Sequence, residues 1–347
     1  MFGNARHVLH VWDYHHGQVT RIVVSGCPPL HGRTVREKQT DLATRYDHLR
    51  ALVCREPRGH RNLLGAFLTE PERPTSHAGV IFVHPGGYFD ACGDSTFSVA
   101  VALLESGLVP RATDDGEQEL VLDTVLGPVP VRVRLRQGRV VAVTMSSGPS
   151  YALGEAVLET SELGRVPVTL AWGGLLYAFA DATALGLELG PDLPPSAREH
   201  VLEVGTALWQ AARERLRADV PGIATDRPVD LVTLVQELAT DGTPLPPGAD
   251  ARPAGARVAN FYAPRTMGRT PSGTGTAARV AALVAAGRLA LGTSYFHESP
   301  VGLRFTARPV RREGSAVHSE ISTMSYCMGI ATLVLRDDDP FPTGFSL

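Results

Sequence analysis

Lysine is nearly absent from this 347-residue chain: Lys38 is the only one among 33 basic residues, and all the others are arginine. Pyridoxal-phosphate chemistry needs a Schiff-base lysine. Lys38 lies in the polar run VREKQTD, so that class of enzyme is set aside. Cysteine is scarce as well. Cys27, Cys54, Cys92 and Cys327 are scattered, with no CxxC pair and no cysteine–histidine cluster, which argues against a disulfide framework and against a zinc or other metal site. No apolar run approaches the ~18 residues that would cross a bilayer. The opening MFGNARHVLHVWDYHHG lacks the uninterrupted apolar region of a signal peptide. A cytoplasmic setting is expected. Neither sign of charge dominates, and a net charge of −3 gives no general case for a nucleic-acid or membrane partner.

What remains is strand-forming sequence punctuated by glycine, long enough for two domains of ordinary size. HVLHVWDYHHGQVTRIVVSG reads as a hairpin turning near His16-Gly17, with His15 and His16 as turn residues. Strands are expected at 63–68, 80–84, 120–125 and 129–135, and again in VVAVTMSS and PVTLAW. YDHLRALVCRE has helical spacing. SAREHVLEVGTALWQAARERLRADV reads as one long amphipathic helix, and TDGTPLPPGADARPAGA as an exposed loop.

One segment occurs twice. FDACGDSTFSVAVALLESG (89–107), shifted by 180 positions, falls on the stretch that contains TPSGTGTAARVAALVAAG (270–287). Cys92 then falls on Ser272, Gly93 on Gly273, Thr96 on Thr276 and Gly107 on Gly287. Each copy is a glycine turn followed by a helix so apolar that other structure must surround it. A helix N-terminus exposes unpaired backbone N–H groups and about half a positive charge. Two such tips make an anion cradle suited to a carboxylate. At such a tip a thiolate is stabilised, so Cys92 is a candidate base at neutral pH. The bland reading stands beside it: a lone cysteine before a helix is usually a small buried hydrophobe, and SGTGT is an ordinary capped turn.

Several further stretches carry a resemblance to the proline racemase family along nearly the whole chain. They are HHGQVTRIV (15–23), REPRGHRNLLGAFL (55–68), GVIFVHPGGY (79–88), ACGD (91–94), WGGLLYAFADA (172–182), GRTPSGTGTAAR (268–279), FHESPVG (296–302) and DDDPFPTGF (337–345). The resemblance implies an α/β (α+β) fold of the diaminopimelate-epimerase kind. It would have two pseudo-symmetric domains, each a curved mixed sheet around a central helix, with the active site in the cleft between them. The expected domains are 1–125 plus 318–347, carrying Cys92, and 126–317, carrying Ser272. The resemblance implies no cofactor.

The departures from the family pattern are informative. Where the family reads Met-Cys-Gly-His, this chain reads Ala91-Cys92-Gly93-Asp94. Where it reads Asp-Arg-Ser-Pro-Cys-Gly-Thr-Gly, this chain has Gly268-Arg269-Thr270-Pro271-Ser272-Gly273-Thr274-Gly275. The first catalytic cysteine is kept at Cys92 and the second is Ser272. The His and Asp that flank the substrate nitrogen in the family are Asp94 and Gly268. Family dehydratases replace the second cysteine by threonine, and a serine resembles that state, because an unassisted hydroxyl is too weak an acid to share protons evenly with a thiol. Asp94 has two readings: an anchor for a substrate ammonium, or a carboxylate favoured by the helix dipole. Ionised beside Cys92, it would raise the thiol pKa.

The expected site is therefore Cys92 and Ser272 as catalytic residues, with Gly93, Asp94, Gly273, Thr274, Gly275 and His84 around the substrate. His84 has a structural reading too, as the end of a strand. Gly173 and Gly174 allow a close backbone approach, Asp181 ends a strand, and His297 in FHES has no role beyond its loop. The expected function is cofactor-independent removal of the α-proton from a proline-like amino acid, foremost dehydration of a 3-hydroxyproline-type substrate. The alternatives are racemisation or epimerisation using Cys92 and Ser272, and non-catalytic binding of a small carboxylate. The expected partner is the small-molecule substrate. The sequence leaves the oligomeric state open, a homodimer being one option.

Overall fold

The computed structural model describes residues 4–345, so the outermost residues of the expected first domain, 1–3 and 346–347, lie outside it. Contacts divide the chain into two units, 1–145 with 323–347, and 146–322. The expected junctions at 125/126 and 317/318 fall elsewhere. Position 125 lies in the turn of a hairpin whose second strand, and the strand after it, continue the sheet of the first unit.

In the first unit, β1 (Ala5–His15) and β2 (Val19–Ser25) form the expected hairpin. Two helices follow, α1 (Val35–Arg45) and α2 (Asp47–Cys54). Then come β3 (Leu64–Thr69), β4 (Ala78–His84), the short β5 (Gly87–Phe89), α3 (Gly93–Glu105), β6 (Gly116–Thr124), β7 (Gly127–Arg136) and β8 (Arg139–Ser146). The second unit holds β9 (Tyr151–Thr160), β10 (Gly164–Trp172), β11 (Leu176–Asp181) and α4 (Pro195–Arg215). A small hairpin of β12 (Arg217–Val220) and β13 (Ala224–Pro228) precedes β14 (Leu231–Leu238), β15 (Gly255–Ala263) and β16 (Thr266–Met267). It closes with α5 (Gly273–Ala285), β17 (Tyr295–Glu298), β18 (Arg304–Glu313) and β19 (Ala316–Thr323). The chain then returns to the first unit as β20 (Tyr326–Arg336), antiparallel to β1.

Read strand by strand, the two sheets have one topology. In the first, β20, β1 and β2 are antiparallel, β2 and β3 parallel, and β3 and β4 antiparallel. β4 pairs antiparallel with β5 and parallel with β6, and β6, β7 and β8 complete a meander. In the second, β9, β10 and β11 are antiparallel, β11 and β14 parallel, and β14 and β15 antiparallel. β15 pairs antiparallel with β16 and parallel with β17, and β18 and β19 follow antiparallel. The internal repeat, visible in the sequence over one segment, thus runs through both units. The two central helices are both 13 residues long and start 180 positions apart.

Packing follows from composition. In α3 every side chain from Ser95 to Leu104 is buried, and in α5 every residue from Gly275 to Val284 is buried except Arg279, which reaches the edge. Each buried valine or leucine there contributes about 1.5–3 kcal/mol relative to exposure. α3 packs against β1, β2, β3, β7 and β20, and α5 against β9, β10, β11, β17 and β18, so each sheet curls around its own helix.

Three stretches differ from the sequence reading. The run containing VREKQTD is not simply polar but the helix α1: Thr34 and Glu37 form a reciprocal capping box, and Lys38 is buried, its Nζ donating to the Glu70 carbonyl at 2.8 Å. The long helix ends at Arg215 rather than Val220, because Arg217–Val220 pairs as a strand with Ala224–Pro228. The exposed loop gives way at Gly255-Ala256, where β15 begins.

Candidate active site

Cys92 is the N-cap of α3 and Ser272 the N-cap of α5. Each side chain accepts the N–H three residues on, Ser95 N to Cys92 Sγ at 3.5 Å and Gly275 N to Ser272 Oγ at 3.2 Å. Each carbonyl accepts the N–H and the threonine hydroxyl four residues on. Those hydroxyl bonds are Thr96 Oγ1 to the Cys92 oxygen at 2.8 Å and Thr276 Oγ1 to the Ser272 oxygen at 2.7 Å. Caps of this kind satisfy the third and fourth N–H of a helix. The first two, of Gly93 and Asp94 in α3 and of Gly273 and Thr274 in α5, have no intrahelical carbonyl within reach. The Asp94 N–H turns to the Cys92 sulfur; the others are the donors that an anion would meet at each tip.

The two tips differ in chemistry. At α3 the Cys92 thiol donates to Ser95 Oγ at 3.3 Å, and Ser95 Oγ is 3.2 Å from the Thr20 hydroxyl. Burial pushes the Cys92 thiol up to about 12, and the Asp94 carboxylate adds to that rise; the bonds from Ser95 and from the Asp94 N–H oppose it. The expectation of a thiolate at neutral pH in the resting protein is therefore corrected: desolvation outweighs the helix tip. At α5, Ser272 takes a backbone conformation of φ 65 and ψ 124 that costs a side-chain-bearing residue roughly 1–3 kcal/mol. Its Oγ lies 2.9 Å from the Tyr177 hydroxyl and 3.2 Å from Thr274 Oγ1.

Asp94 has a role the sequence did not suggest. Its Oδ1 meets His16 Nε2 at 3.1 Å. His16 is fully buried rather than a mere turn residue, and its Nδ1 lies 3.3 Å from Ser98 Oγ. The sign that could have shown this is its place directly after an amphipathic strand, where the side chain turns inward. Tyr177 gives no such sign, lying in an apolar stretch that reads as core.

Other expected residues find plainer places. His84 ends β4, stacks on Phe89 at 4.3 Å and accepts the Gly86 N–H, which makes it a clamp on the β4–β5 turn. Burial and the Arg50 charge lower its pKa. Gly173 and Gly174 do permit a close approach: a Cβ on Gly173 would overlap the Thr274 carbonyl, and one on Gly174 would stand 3.0 Å from Thr274 Cγ2. Asp181 accepts the N–H groups of Thr183 and Ala184 and holds the turn after β11. His297 is not a loop residue but a buried member of β17, its Nδ1 3.0 Å from Thr276 Oγ1. Burial first, and Arg279 second, lower its pKa to about 3, so it is neutral. Among the described residues no group of three histidine, cysteine or carboxylate side chains could hold a metal ion. No described helix is long and apolar enough to cross a membrane. A cavity of about 360 Å³ in the second unit, lined by Thr169, Asp181, Glu237, Arg279 and Arg288 among others, contains none of the α5 tip residues.

Two capped helix tips, one with a thiol and the other with a hydroxyl, on twin sheets of one topology, define a class that comparison identifies. The proline racemase family model matches residues 11–346, and the chain belongs to that family of enzymes. It is 33% identical to a 4-hydroxyproline 2-epimerase of Streptosporangium roseum, covering 99% of each chain. It is 32% identical to the trans-3-hydroxy-L-proline dehydratase of Homo sapiens, over 98% of this chain and 95% of that one. Its fold resembles the crystal structure of a hydroxyproline epimerase from Agrobacterium vitis with bound trans-4-hydroxy-L-proline. That match has a TM-score of 0.81 and 27% identity, and covers 99% of this chain and 96% of the other.

Proposed function

We propose that the protein removes the α-proton of a proline-like amino acid and expels a β-hydroxyl, a dehydration of a 3-hydroxyproline-type substrate. The observation that carries this reading is the asymmetry of the tips: Cys92 is a thiol, whereas Ser272 is a hydroxyl. Cys92 is the general base. Its thiolate takes the α-hydrogen as a proton and leaves carbanion character beside the carboxylate; that electron pair then forms the C–C double bond as the C–O bond breaks. The β-oxygen leaves with a proton as water. The resulting enamine tautomerises to an imine, which hydrolyses to a keto acid.

Charge builds up beside the carboxylate during proton removal, where the N–H donors at the helix tip stabilise it as it develops. The Asp94 carboxylate takes the substrate ammonium. That pairing cancels the charge that helps hold Cys92 protonated, so substrate binding eases formation of the thiolate that it needs. Ser272 is an acid or positioning group toward the same substrate.

Epimerisation is the second reading, favoured by the epimerases among the relatives. Product analysis separates the two. Each stereoisomer of 3- and 4-hydroxyproline is incubated with the protein and followed by proton NMR. Loss of the β-hydroxyl with formation of imine or keto acid supports dehydration. Appearance of the α-epimer with the hydroxyl retained replaces it by epimerisation.

A further inference from the structure

The α5 tip holds a phenol that has no counterpart at the α3 tip. In the matched registers, Thr20 pairs with Leu64 across β2–β3, and Tyr177 pairs with Leu231 across β11–β14. Leu64 and Leu231 each open their strand, so Thr20 and Tyr177 occupy equivalent positions. Thr20 bonds to Ser95; 180 positions beyond Ser95 the chain has Gly275. Tyr177 fills the room so left: a Cβ on Gly275 would stand 3.0 Å from its Cε1. The phenol oxygen lies 2.9 Å from Ser272 Oγ and 2.7 Å from Thr274 Oγ1. The ring is fully buried and stacks on Phe179 at 5.6 Å.

We propose that Tyr177 is the positioning residue through which Ser272 exchanges protons, an inference that rests on the reaction read above. A serine hydroxyl that gives up its proton alone becomes an alkoxide, a poor place for charge. A phenol ordinarily ionises near pH 10. As the Ser272 O–H bond breaks toward the substrate, the Tyr177 O–H bond breaks toward Ser272 Oγ. One O–H bond re-forms on serine for the one lost, and the charge comes to rest on the phenolate oxygen. Thr274 Oγ1 is placed to donate to that oxygen. A proton from solvent water, matching the one that Cys92 releases, then returns through Ser272 to the phenolate and resets the site.

The test is Tyr177→Phe in two backgrounds, the natural chain and Ser272→Cys, with kcat, KM and the pH profile measured on the turned-over hydroxyproline isomer. In the natural chain kcat falls at least tenfold and KM stays within about twofold. In Ser272→Cys, whose thiol is an acid in its own right, the same change alters kcat less than twofold. Equal losses in both backgrounds, or no loss in the natural chain, overturn the proposal. A second variant replaces Tyr177 by 3,5-difluorotyrosine, which keeps the ring and makes its phenol more acidic. The pH profile then moves to lower pH, and an unmoved profile overturns the relay. Exchange of the substrate α-proton with D2O persists in Tyr177→Phe, because Cys92 performs it. If the unmodified protein exchanges no α-proton, the reaction itself is misread and the inference falls with it, an outcome distinct from failure of the Tyr177 comparison alone.

Discussion

His16 and Gly173 hold the same place in the two units. Each directly follows the last residue of its strand, β1 or β10. The His16 imidazole touches Asp94 and Ser98 of α3. The Gly173 backbone approaches Thr274 and Ala278 of α5, the residues 180 positions on. Where the first unit fits an imidazole against its helix, the second brings bare backbone to the same two positions.

Asp94 raises the Cys92 pKa from close by, second only to burial. Asp94→Asn removes a like charge, so the thiolate forms at lower pH. In a Cys327→Ser background, which removes an exposed competing thiol, iodoacetamide should alkylate Cys92 several-fold faster at pH 8 than in the protein with Asp94 intact. The same change raises KM for the amino acid about tenfold or more, through loss of the ammonium anchor. Unchanged alkylation would show that the carboxylate does not act on the thiol.

Burial leaves Cys92 as a thiol in the resting protein, with its pKa pushed up from 9.0 to about 12. At low substrate concentration, kcat/KM therefore rises with pH through the neutral range, about tenfold per unit while the thiolate is scarce. Stability runs the other way. The thiols of Cys92 and Cys54 reach about 12 and that of Cys27 about 11, so the unfolded chain ionises first. Their stabilising contribution is complete below about pH 9 and is lost as pH rises toward the folded values. Thermal melting should fall above pH 9, and fall less in Cys92→Ala. A flat melting profile in that range contradicts the burial account.

Gly173→Ala drives a methyl group into the Thr274 carbonyl and to 2.6 Å from the Ala278 nitrogen. Both are backbone of α5, which does not yield as a side chain does. The expected cost is about 3 kcal/mol, at the upper end for overpacking, read as a lower urea midpoint at unchanged slope. Turnover should drop about a hundredfold, because the Thr274 N–H moves with the helix end.

Ser272→Cys supplies the second thiol that two-base chemistry requires. The ratio of α-inverted to dehydrated product should rise at least tenfold, measured by chiral chromatography of the reaction mixture. An unchanged ratio would show that position 272 does not choose between the outcomes.

The sequence carried the repeat, the caps and the central helices, because an apolar helix behind a glycine turn can be recognised locally. The identities of Cys92 and Ser272 as N-caps follow from the same segment. Thr20 and Tyr177 are not legible, since each sits in a strand pattern indistinguishable from core until register is known. The Cys92 pKa is not legible for a related reason: the helix tip is visible in the sequence, but the burial that outweighs it is not. Helix α1 has its capping box, Thr34 to Glu37, written in the chain, but its polar composition masks the signal.

The most direct test incubates the protein and its Cys92→Ala variant in D2O with the hydroxyproline isomers, following the α-proton by NMR. The account predicts α-proton loss in the natural chain, leading to β-hydroxyl loss for a 3-hydroxylated substrate, and at least a thousandfold slower loss in the variant. Full α-proton loss by Cys92→Ala would contradict it.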